Sequence, residues 1–590
     1  MQRSRGSKVR SSRTCACAIR TSAIDCSARC SRWCRAGSTR LLKPSWPSVR
    51  CRCRRPRAAP ATPTRAHRAR SPMFDTLIVN GKVIDGAGRA WFHAAVGIEG
   101  DTVTVLEGDV SNVEAGRTID ASGMAVCPGF IDMHSHSDFA LLSSPRHEPK
   151  VSQGVTTEAL GQDGLSYAPI SPVNRQHLVD YLAAVNGRPP EGTEWTSVAS
   201  FLDLFEGASS CNVVYFVPHA ALRIEAMGWA NRLPTDPELA RMRELAVQGM
   251  RDGAFGFSTG LTYVPNIYSD THELTEIAGA VAPYGGIYVT HSRYALGDGL
   301  LDPFREAVAV GRESGAPVQI SHYHNPVPGM GERMVALVDE SRSAGVDVTF
   351  DQYPYPAAST ILLSLIPPWV HEGGPEMLLQ RIADKDVRDR IADGVYPQWG
   401  GSLADYMFAH VGSEKNKEWE GRSLQDMADA QGKRMVDTIC DLLIEEHLEV
   451  AFVARTGNPD NVRTIMAHPA QMVGSDGLMT GEMPNPRTYG TFPYLLGQAV
   501  EEGTLRLEDA VHKMTGASAR RLGLRDRGVL RDGAKADVVV FDPERVRAQA
   551  TFESPKQLAT GIEYVFVNGT LVWEHGRHTG ALPGRALRKS

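Results

Sequence analysis

The fold is decided by residues 129–136, GFIDMHSH, a short apolar run that ends in two histidines. Seven further short apolar or β-branched runs follow, most of them with a helix signal behind them. Buried strands that alternate with helices are typical of a parallel sheet, and eight of them predict an α/β fold of the (β/α)8 TIM-barrel class. In chain order the other seven are GVTTEALG (154–161), NVVYFVPH (212–219), AFGFSTGL (254–261), IYVTHS (287–292), VQISHY (318–323), VTFDQY (348–353) and QMVGSD (471–476).

Two of the helix starts carry explicit capping signals. Thr235, followed by a proline and by Glu238, predicts a capped helix start before the apolar residues of 239–245. Asp302, with a proline behind it and Glu306 one turn later, predicts a second helix of this kind, which Gly315 would end.

Short strands and turn residues flank the barrel on both sides, as in TLIVNGKVID (76–85) and GAKADVVVFDPE (533–544). We expect 73–127 and 524–590 to form the two halves of one small β-sandwich, with the barrel at 128–523. A polar, helix-rich stretch at about 367–463 predicts a helical insertion before the last barrel strand.

The first 72 residues differ from the rest of the chain. They carry 19 Lys and Arg against a single Asp, and seven of the ten cysteines. The cysteine spacings match no metal module, and the segment is too poor in apolar residues to fold. We interpret it as a disordered basic leader or as a start codon assigned too far upstream, and expect no nucleic-acid partner.

The composition indicates a cytoplasmic enzyme. No apolar run approaches the roughly 18 residues that a membrane-spanning helix needs, so we expect no membrane partner. Cys127, Cys211 and Cys440 are scattered, which indicates no disulfide framework and suits a reducing compartment.

Metal-ligating side chains occur where the predicted strands end. Barrel enzymes place their chemistry at the carboxyl ends of the strands. Alternation along a strand directs an i, i+2 pair of side chains to one face. The sequence therefore predicts a metal site at this end of the barrel, built from His134, His136, His291, His322 and Asp476.

These motifs resemble the amidohydrolase superfamily and, within it, the D-aminoacylase (N-acyl-D-amino-acid deacylase) branch. The similarity runs from Met73 to near the C-terminus. It is carried by PGFIDMHSHSD, GVTTEALGQDG, GLTYVP, YVTHSR, QISHYH, DQYPYPAAST, VGSDG and NPRTYGTFP.

The resemblance implies a zinc centre. It makes His134 and His136 ligands of one metal position, His291 and His322 ligands of the other, and Asp476 both ligand and proton acceptor. The bridging ligand of the family is a Cys in a GNCG turn, whereas this chain has Asp163 in GQDG, with Glu158 as the fallback. No lysine occurs between Lys150 and Lys385, which excludes a carboxylated bridging lysine from the barrel strands. We expect one tightly bound zinc, with a second site of lower affinity.

The resemblance also implies that Arg487, Tyr353 and Ser359 hold the substrate carboxylate. His324 stands where the branch has Lys, so an acidic substrate side chain is less favoured. The predicted activity is hydrolysis of the amide bond of N-acyl-D-amino acids, small-molecule substrates. Two alternatives stay open: hydrolysis of another linear amide, such as a D-configured dipeptide or an N-carbamoyl compound, and an inactive scaffold. The sequence leaves the oligomeric state undetermined.

Overall fold

A computed structural model describes residues 74–392 and 402–589, and the predicted leader lies outside this range. Eight short strands form the central barrel, and each predicted run contains one of them. We label them β1 (Phe130–Asp132), β2 (Val155–Leu160), β3 (Asn212–Tyr215), β4 (Gly256–Gly260), β5 (Ile287–His291), β6 (Val318–Ile320), β7 (Val348–Gln352) and β8 (Gln471–Val473).

The eight strands are parallel and form a closed ring. β2 pairs with β1 and β3, and β4 to β8 pair in chain order. Val217–Pro218 continues β3 and pairs with β4. The Met133 amide donates to the Val473 carbonyl at 3.0 Å and joins β1 to β8. The predicted TIM barrel is confirmed.

Helices connect the strands around the barrel. None of the helices within the described ranges has both the length and the apolar character needed to cross a membrane. Apart from those of the insertion before β8, the α-helices are, in chain order, Ala140–Ser143, Glu148–Val151, Pro172–Asn186, Val198–Asp203, His219–Met227, Asp236–Arg251, Thr271–Val281, Asp302–Ser314, Met330–Ser343, Pro459–Ala467, Arg487–Leu496, Gln498–Glu501, Leu507–Met514 and Gly516–Leu522.

One of the two predicted helix starts forms its cap. The Thr235 amide donates to Glu238 at 2.7 Å, and the two side chains complete a capping box. The second predicted helix forms, but the predicted cap at its start does not. Glu306 binds Arg293 instead of the helix terminus, with Nε to Oε2 at 3.1 Å. Gly315 ends that helix in a left-handed conformation, as predicted.

Strands from both ends of the described chain share one sheet, as predicted. Val538–Phe541 pairs antiparallel with Ala125–Pro128. The apolar faces of this sheet and of a second sheet enclose a common core, to which Val96 and Val540 both belong. The second sheet contains Thr102–Leu106, Ala95–Glu99, Phe74–Val79 and Ala115–Asp120. The first also contains Lys82–Val83, Phe92–His93, Ile562–Val567, Thr570–Glu574 and Arg577–His578.

The insertion before β8 is not purely helical, which corrects the prediction. Its strands Tyr406–Val411 and Val450–Ala454 form an antiparallel sheet with Ala358–Ile361, which precedes the predicted bounds, and Val450–Ala454 is the central strand. Short apolar runs such as VAFVA cannot be distinguished from buried helix segments by periodicity, and this ambiguity explains the error. The insertion also contains the helices Pro375–Ala383, Lys385–Ala392, Leu424–Gln431 and Met435–Glu445.

Candidate metal centre

His134 and His136 extend from the end of β1 into the barrel mouth. Their ring centroids are 5.3 Å apart, and both side chains are almost fully buried. The Nε2 atoms face two carboxylates. His134 Nε2 is 3.4 Å from Asp163 Oδ1, and His136 Nε2 is 3.4 Å from Asp476 Oδ1. The i, i+2 spacing therefore places both imidazoles at one site.

His291 and His322 reach the same carboxylate from the other side. Asp163 Oδ2 lies 3.4 Å from His291 Nδ1 and 3.5 Å from His322 Nε2. Asp163 thus belongs to two groups whose ligand atoms lie within 4.8 Å of one another. One is His134, His136, Asp163 and Asp476, and the other is Asp163, His291 and His322. We call these six residues the metal cluster.

The backbone is constrained at three residues of the cluster. Asp163, His322 and Asp476 have φ values of 55°, 31° and 48°, in a region that residues other than glycine rarely adopt. Such conformations persist where the surrounding structure imposes them, and they concentrate at functional sites. Here they turn side chains from three different strand ends toward one point.

The donor set fits a divalent cation. Both ring nitrogens of His134 and Oδ1 of Asp163 are buried without a hydrogen-bond partner. Buried polar atoms are nearly always satisfied, so these atoms require a partner that the protein itself does not supply. Imidazole nitrogen and carboxylate oxygen are ligands of zinc and of other first-row divalent ions.

Both carboxylates of the cluster are held in the ionised form. Burial opposes ionisation of Asp163, but the imidazoles of His134, His322 and His291 lower its pKa well below the ordinary range. Burial likewise opposes ionisation of Asp476, and Arg487 and His134 lower its pKa. Burial lowers the pKa of His291 to about 4, so this ring is a neutral donor at pH 7. Two ionised carboxylates among imidazoles favour a bound cation.

Four residues that the sequence did not indicate lie against the outer nitrogens of the imidazoles. Hydrogen bonds there fix the tautomer and orientation of a ligating histidine. Asp351 follows an apolar run and could have been found as an acid near a strand end, whereas the others lie in loops or helices without a recognisable pattern. The hydrogen bonds are Asn186 with His136 Nδ1 at 3.2 Å, Thr262 with His291 Nε2 at 2.9 Å and Tyr294 with His322 Nδ1 at 3.2 Å. Asp351 Oδ1 lies 3.4 Å from His134 Nδ1, close enough for a charge interaction but without a hydrogen bond.

Glu158, the fallback ligand, lies outside the metal cluster. Its Oε2 is 2.7 Å from His147 Nε2, and its Oε1 is 3.1 Å from Lys150 Nζ. Lys150 is fully buried and also binds Asp132 and the Ser475 hydroxyl, each at 2.6 Å. We call these five residues the lysine cluster. Lys150 is bound to carboxylates and does not belong to the metal cluster.

Arg487 lies behind Asp476 and is fully buried. Its Nη2 is 2.8 Å from Asp476 Oδ2, and its Nε donates to the Asp476 carbonyl at 2.7 Å. Its other contacts are the carbonyls of Ala357 and Ser359 and the ring face of Tyr353, at 4.2 Å from the centroid. These contacts show Arg487 orienting Asp476, and its binding of a substrate carboxylate stays a prediction.

A cavity of about 170 Å³ opens beside the metal cluster. Tyr353, Ser359 and His324 line it, together with His136, Asp163 and Asp476. The rings of His324 and Tyr353 are 4.3 Å apart, and His324 Nε2 is buried without a hydrogen-bond partner. The Ser359 hydroxyl donates to the Phe452 carbonyl at 2.9 Å. A small molecule in this cavity would therefore meet the cluster directly.

One family model matches most of the chain, that of the amidohydrolase family, over residues 117–573. A D-aminoacylase of Alcaligenes xylosoxydans xylosoxydans is 36% identical over 527 residues, which are 88% of this chain and 99% of the relative. The chain belongs to the amidohydrolase family, in its D-aminoacylase branch. The resemblance predicted from the motifs is confirmed.

Two further proteins are similar to this amidohydrolase over nearly the same length. An N-acyl-D-glutamate deacylase of the same organism is 35% identical, over 88% of this chain and 97% of the relative. The solved structure of N-acyl-D-glutamate deacylase from Bordetella bronchiseptica is complexed with zinc and with a phosphonate inhibitor that mimics the tetrahedral intermediate. It superposes with a TM-score of 0.74 at 31% identity and covers 88% of this amidohydrolase and 100% of that chain.

Proposed function

We propose that this amidohydrolase hydrolyses the amide bond of N-acyl-D-amino acids and releases a carboxylate and a free D-amino acid. The observation that carries the proposal is a buried carboxylate, Asp163, shared by two groups of metal-ligating side chains beside a cavity. The D-aminoacylase and N-acyl-D-glutamate deacylase relatives, similar over nearly their whole length, supply the substrate class.

We propose zinc as the ion, with one tightly bound and a second site of lower affinity. His134, His136, Asp163 and Asp476 would hold one position, and Asp163, His291 and His322 the other. Zinc bound here would polarise the scissile carbonyl and lower the pKa of a bound water to roughly 7. The zinc named for the Bordetella relative supports this choice.

Asp476 is the proposed proton carrier. Arg487 holds its Oδ2, while its Oδ1 faces His136 and the cavity side of the cluster. Its lowered pKa keeps the carboxylate ionised at pH 7, the form that can accept a proton. In the reaction the water oxygen bonds to the acyl carbon, Asp476 takes the water proton, the C–N bond breaks, and the proton passes to the leaving amine.

We propose that the cavity residues bind the substrate carboxylate. Tyr353 and His324 line the cavity and can donate to the substrate carboxylate, and Ser359 lines it beside them. Arg487 contacts the ring of Tyr353 from behind, so its charge stabilises an anion bound at that ring.

The proposal extends to compartment and domain organisation. Cys127, Cys211 and Cys440 are buried free thiols, which suits the cytoplasm. We retain a sandwich of 73–127 and 524–590 around a barrel domain of 128–523.

A hydrolysis panel tests the function. Purified full-length protein with measured zinc content is assayed against matched N-acetyl-D- and N-acetyl-L-amino acids, D-configured dipeptides and N-carbamoyl-D-amino acids. We expect the N-acetyl-D compounds to be cleaved fastest. Faster cleavage of the L series or of another linear amide, or no cleavage by the zinc-loaded protein, would contradict the assignment.

A further inference from the structure

Aliphatic side chains form part of the cavity lining, which we call the cavity wall. Six of its side chains are Leu165, Val185, Leu300, Val327, Ala358 and Leu478. Leu165 and Val185 follow β2, whereas Leu300 follows β5 and Val327 follows β6. Loops after barrel strands shape the substrate site in this fold, so these residues are placed to contact the part of a substrate that the cluster does not hold.

This wall carries no lysine or arginine in residues 74–392 and 402–589. The arginine that follows the ligand His291, Arg293, is directed elsewhere. Its Nε lies 3.1 Å from Glu306, and its Nη1 donates to the Ile267 carbonyl at 3.0 Å. Arg487 is likewise bound to Asp476 and to backbone carbonyls behind Tyr353.

A second substrate carboxylate would therefore be buried without a cationic partner. Every N-acyl amino acid brings one α-carboxylate, and an N-acyl-D-glutamate or N-acyl-D-aspartate brings another. A buried carboxylate is tolerated when it is paired and is strongly disfavoured when it is not. An apolar side chain on the same wall is instead stabilised by its removal from water.

We propose that this site selects N-acyl-D-amino acids with neutral, apolar side chains and discriminates against acidic ones. The inference rests on the proposed function and deepens it. Sequence identity does not make this choice, because the D-aminoacylase and the N-acyl-D-glutamate deacylase are 36% and 35% identical to this chain. The composition of the cavity wall decides between apolar and acidic side chains.

The test isolates charge from size. The zinc-loaded full-length enzyme is assayed with N-acetyl-D-methionine, N-acetyl-D-glutamine and N-acetyl-D-glutamate, the last two being nearly isosteric. We expect kcat/KM to fall in that order, with glutamine above glutamate by about tenfold or more. Equal or faster cleavage of the glutamate compound would overturn the inference while leaving the deacylase assignment intact. Failure to cleave all three would overturn the proposed function itself.

Two variants at Val327 test whether a positive charge on the cavity wall changes the substrate preference. Val327 is 44% exposed at the cavity rim, so a longer side chain can be accommodated there. Val327→Arg should raise kcat/KM for N-acetyl-D-glutamate about tenfold relative to N-acetyl-D-glutamine. Val327→Gln, of similar length without charge, should leave that ratio unchanged. A ratio that is the same in Val327→Arg and Val327→Gln would contradict the proposal that missing positive charge sets the preference.

Discussion

The metal cluster and the lysine cluster lie at the same end of the barrel, and both bury ionisable groups almost completely. Lys150 neutralises the carboxylates of the lysine cluster, whereas in the metal cluster Arg487 pairs with Asp476 and Asp163 meets only imidazoles. Asp132 and Glu158 surround Lys150, whose Nζ lies within 3.2 Å of two carboxylates and two hydroxyls. Burial opposes the charge on Lys150, yet Asp132 and Glu158 raise its pKa. The metal cluster leaves the ring nitrogens of His134 and an oxygen of Asp163 without hydrogen bonds.

This contrast distinguishes buried charges that stabilise the fold from buried charges that can bind a ligand. A buried carboxylate that meets lysine is satisfied and has no remaining capacity for a ligand. A buried carboxylate that meets only imidazoles retains the capacity to bind a cation. Ser475 and Asp476 are neighbours in the chain, yet Ser475 bonds to Lys150 and Asp476 faces the metal cluster.

Replacement of the proton carrier should have the largest effect on activity. Asp476→Asn keeps an oxygen ligand but cannot accept a proton, so kcat should fall by roughly 10³-fold. Most of the zinc should remain bound, because His134, His136 and Asp163 are unchanged. Steady-state kinetics and metal analysis of one preparation check both parts. Turnover near the wild-type rate would refute this role of Asp476.

Removal of the lysine should chiefly affect stability. Lys150→Met leaves Asp132 and Glu158 buried without their cation, so the free energy of unfolding should fall by roughly 3–5 kcal/mol. Chemical denaturation measures the loss. As a matched control, the triple variant Lys150→Met, Asp132→Asn, Glu158→Gln should recover part of it. An unfolding free energy unchanged in Lys150→Met would show that the lysine cluster is not the ionic anchor described here.

Two carboxylate variants separate the clusters by metal binding. Asp163→Ala removes a ligand from both groups and should weaken zinc binding by about 100-fold or more. Glu158→Gln removes a carboxylate of similar burial from the lysine cluster and should leave zinc affinity within a few-fold of wild type. Competition with a chromophoric chelator measures both affinities. Equal weakening in the two variants would remove the distinction between the clusters.

A second buried lysine sharpens the comparison through pH. Lys513 donates to the His468 carbonyl, and burial lowers its pKa to about 7, the opposite direction from Lys150. Between pH 7 and about 10.4 the unfolded chain binds more protons at this residue than the folded chain, so stability should rise with pH across that window. Lys513→Met should remove about 3.5 kcal/mol of this rise, as measured by denaturation at pH 7 and pH 10. An unchanged slope would contradict the assignment.

Much of the metal cluster was predictable because the barrel converts sequence order into spatial proximity. His134, His136, His291 and His322 each follow a recognisable apolar run, and parallel strands in a closed ring bring their carboxyl ends together. Asp163 was predicted from its position in the GQDG turn, and Asp476 from its position in GSDG.

The features that were not predicted depend on contacts between residues that no periodic sequence pattern connects. Lys150 lies in a four-residue helix, and nothing local indicates that it is buried against Asp132. Asn186 and Thr262 reach ring nitrogens from a helix and a loop. The antiparallel sheet of the insertion was missed because its strands are short and its central strand, VAFVA, is apolar throughout.

The most direct measurement is a zinc titration of the metal-depleted full-length enzyme, with bound metal and hydrolysis of N-acetyl-D-methionine followed in the same samples. We expect turnover to be lost on chelation and to return in proportion to the first equivalent of bound zinc, while N-acetyl-L-methionine stays uncleaved throughout. Full turnover by protein without a bound divalent metal, or stoichiometric zinc binding without cleavage of the D substrate, would contradict the proposed zinc-dependent deacylase.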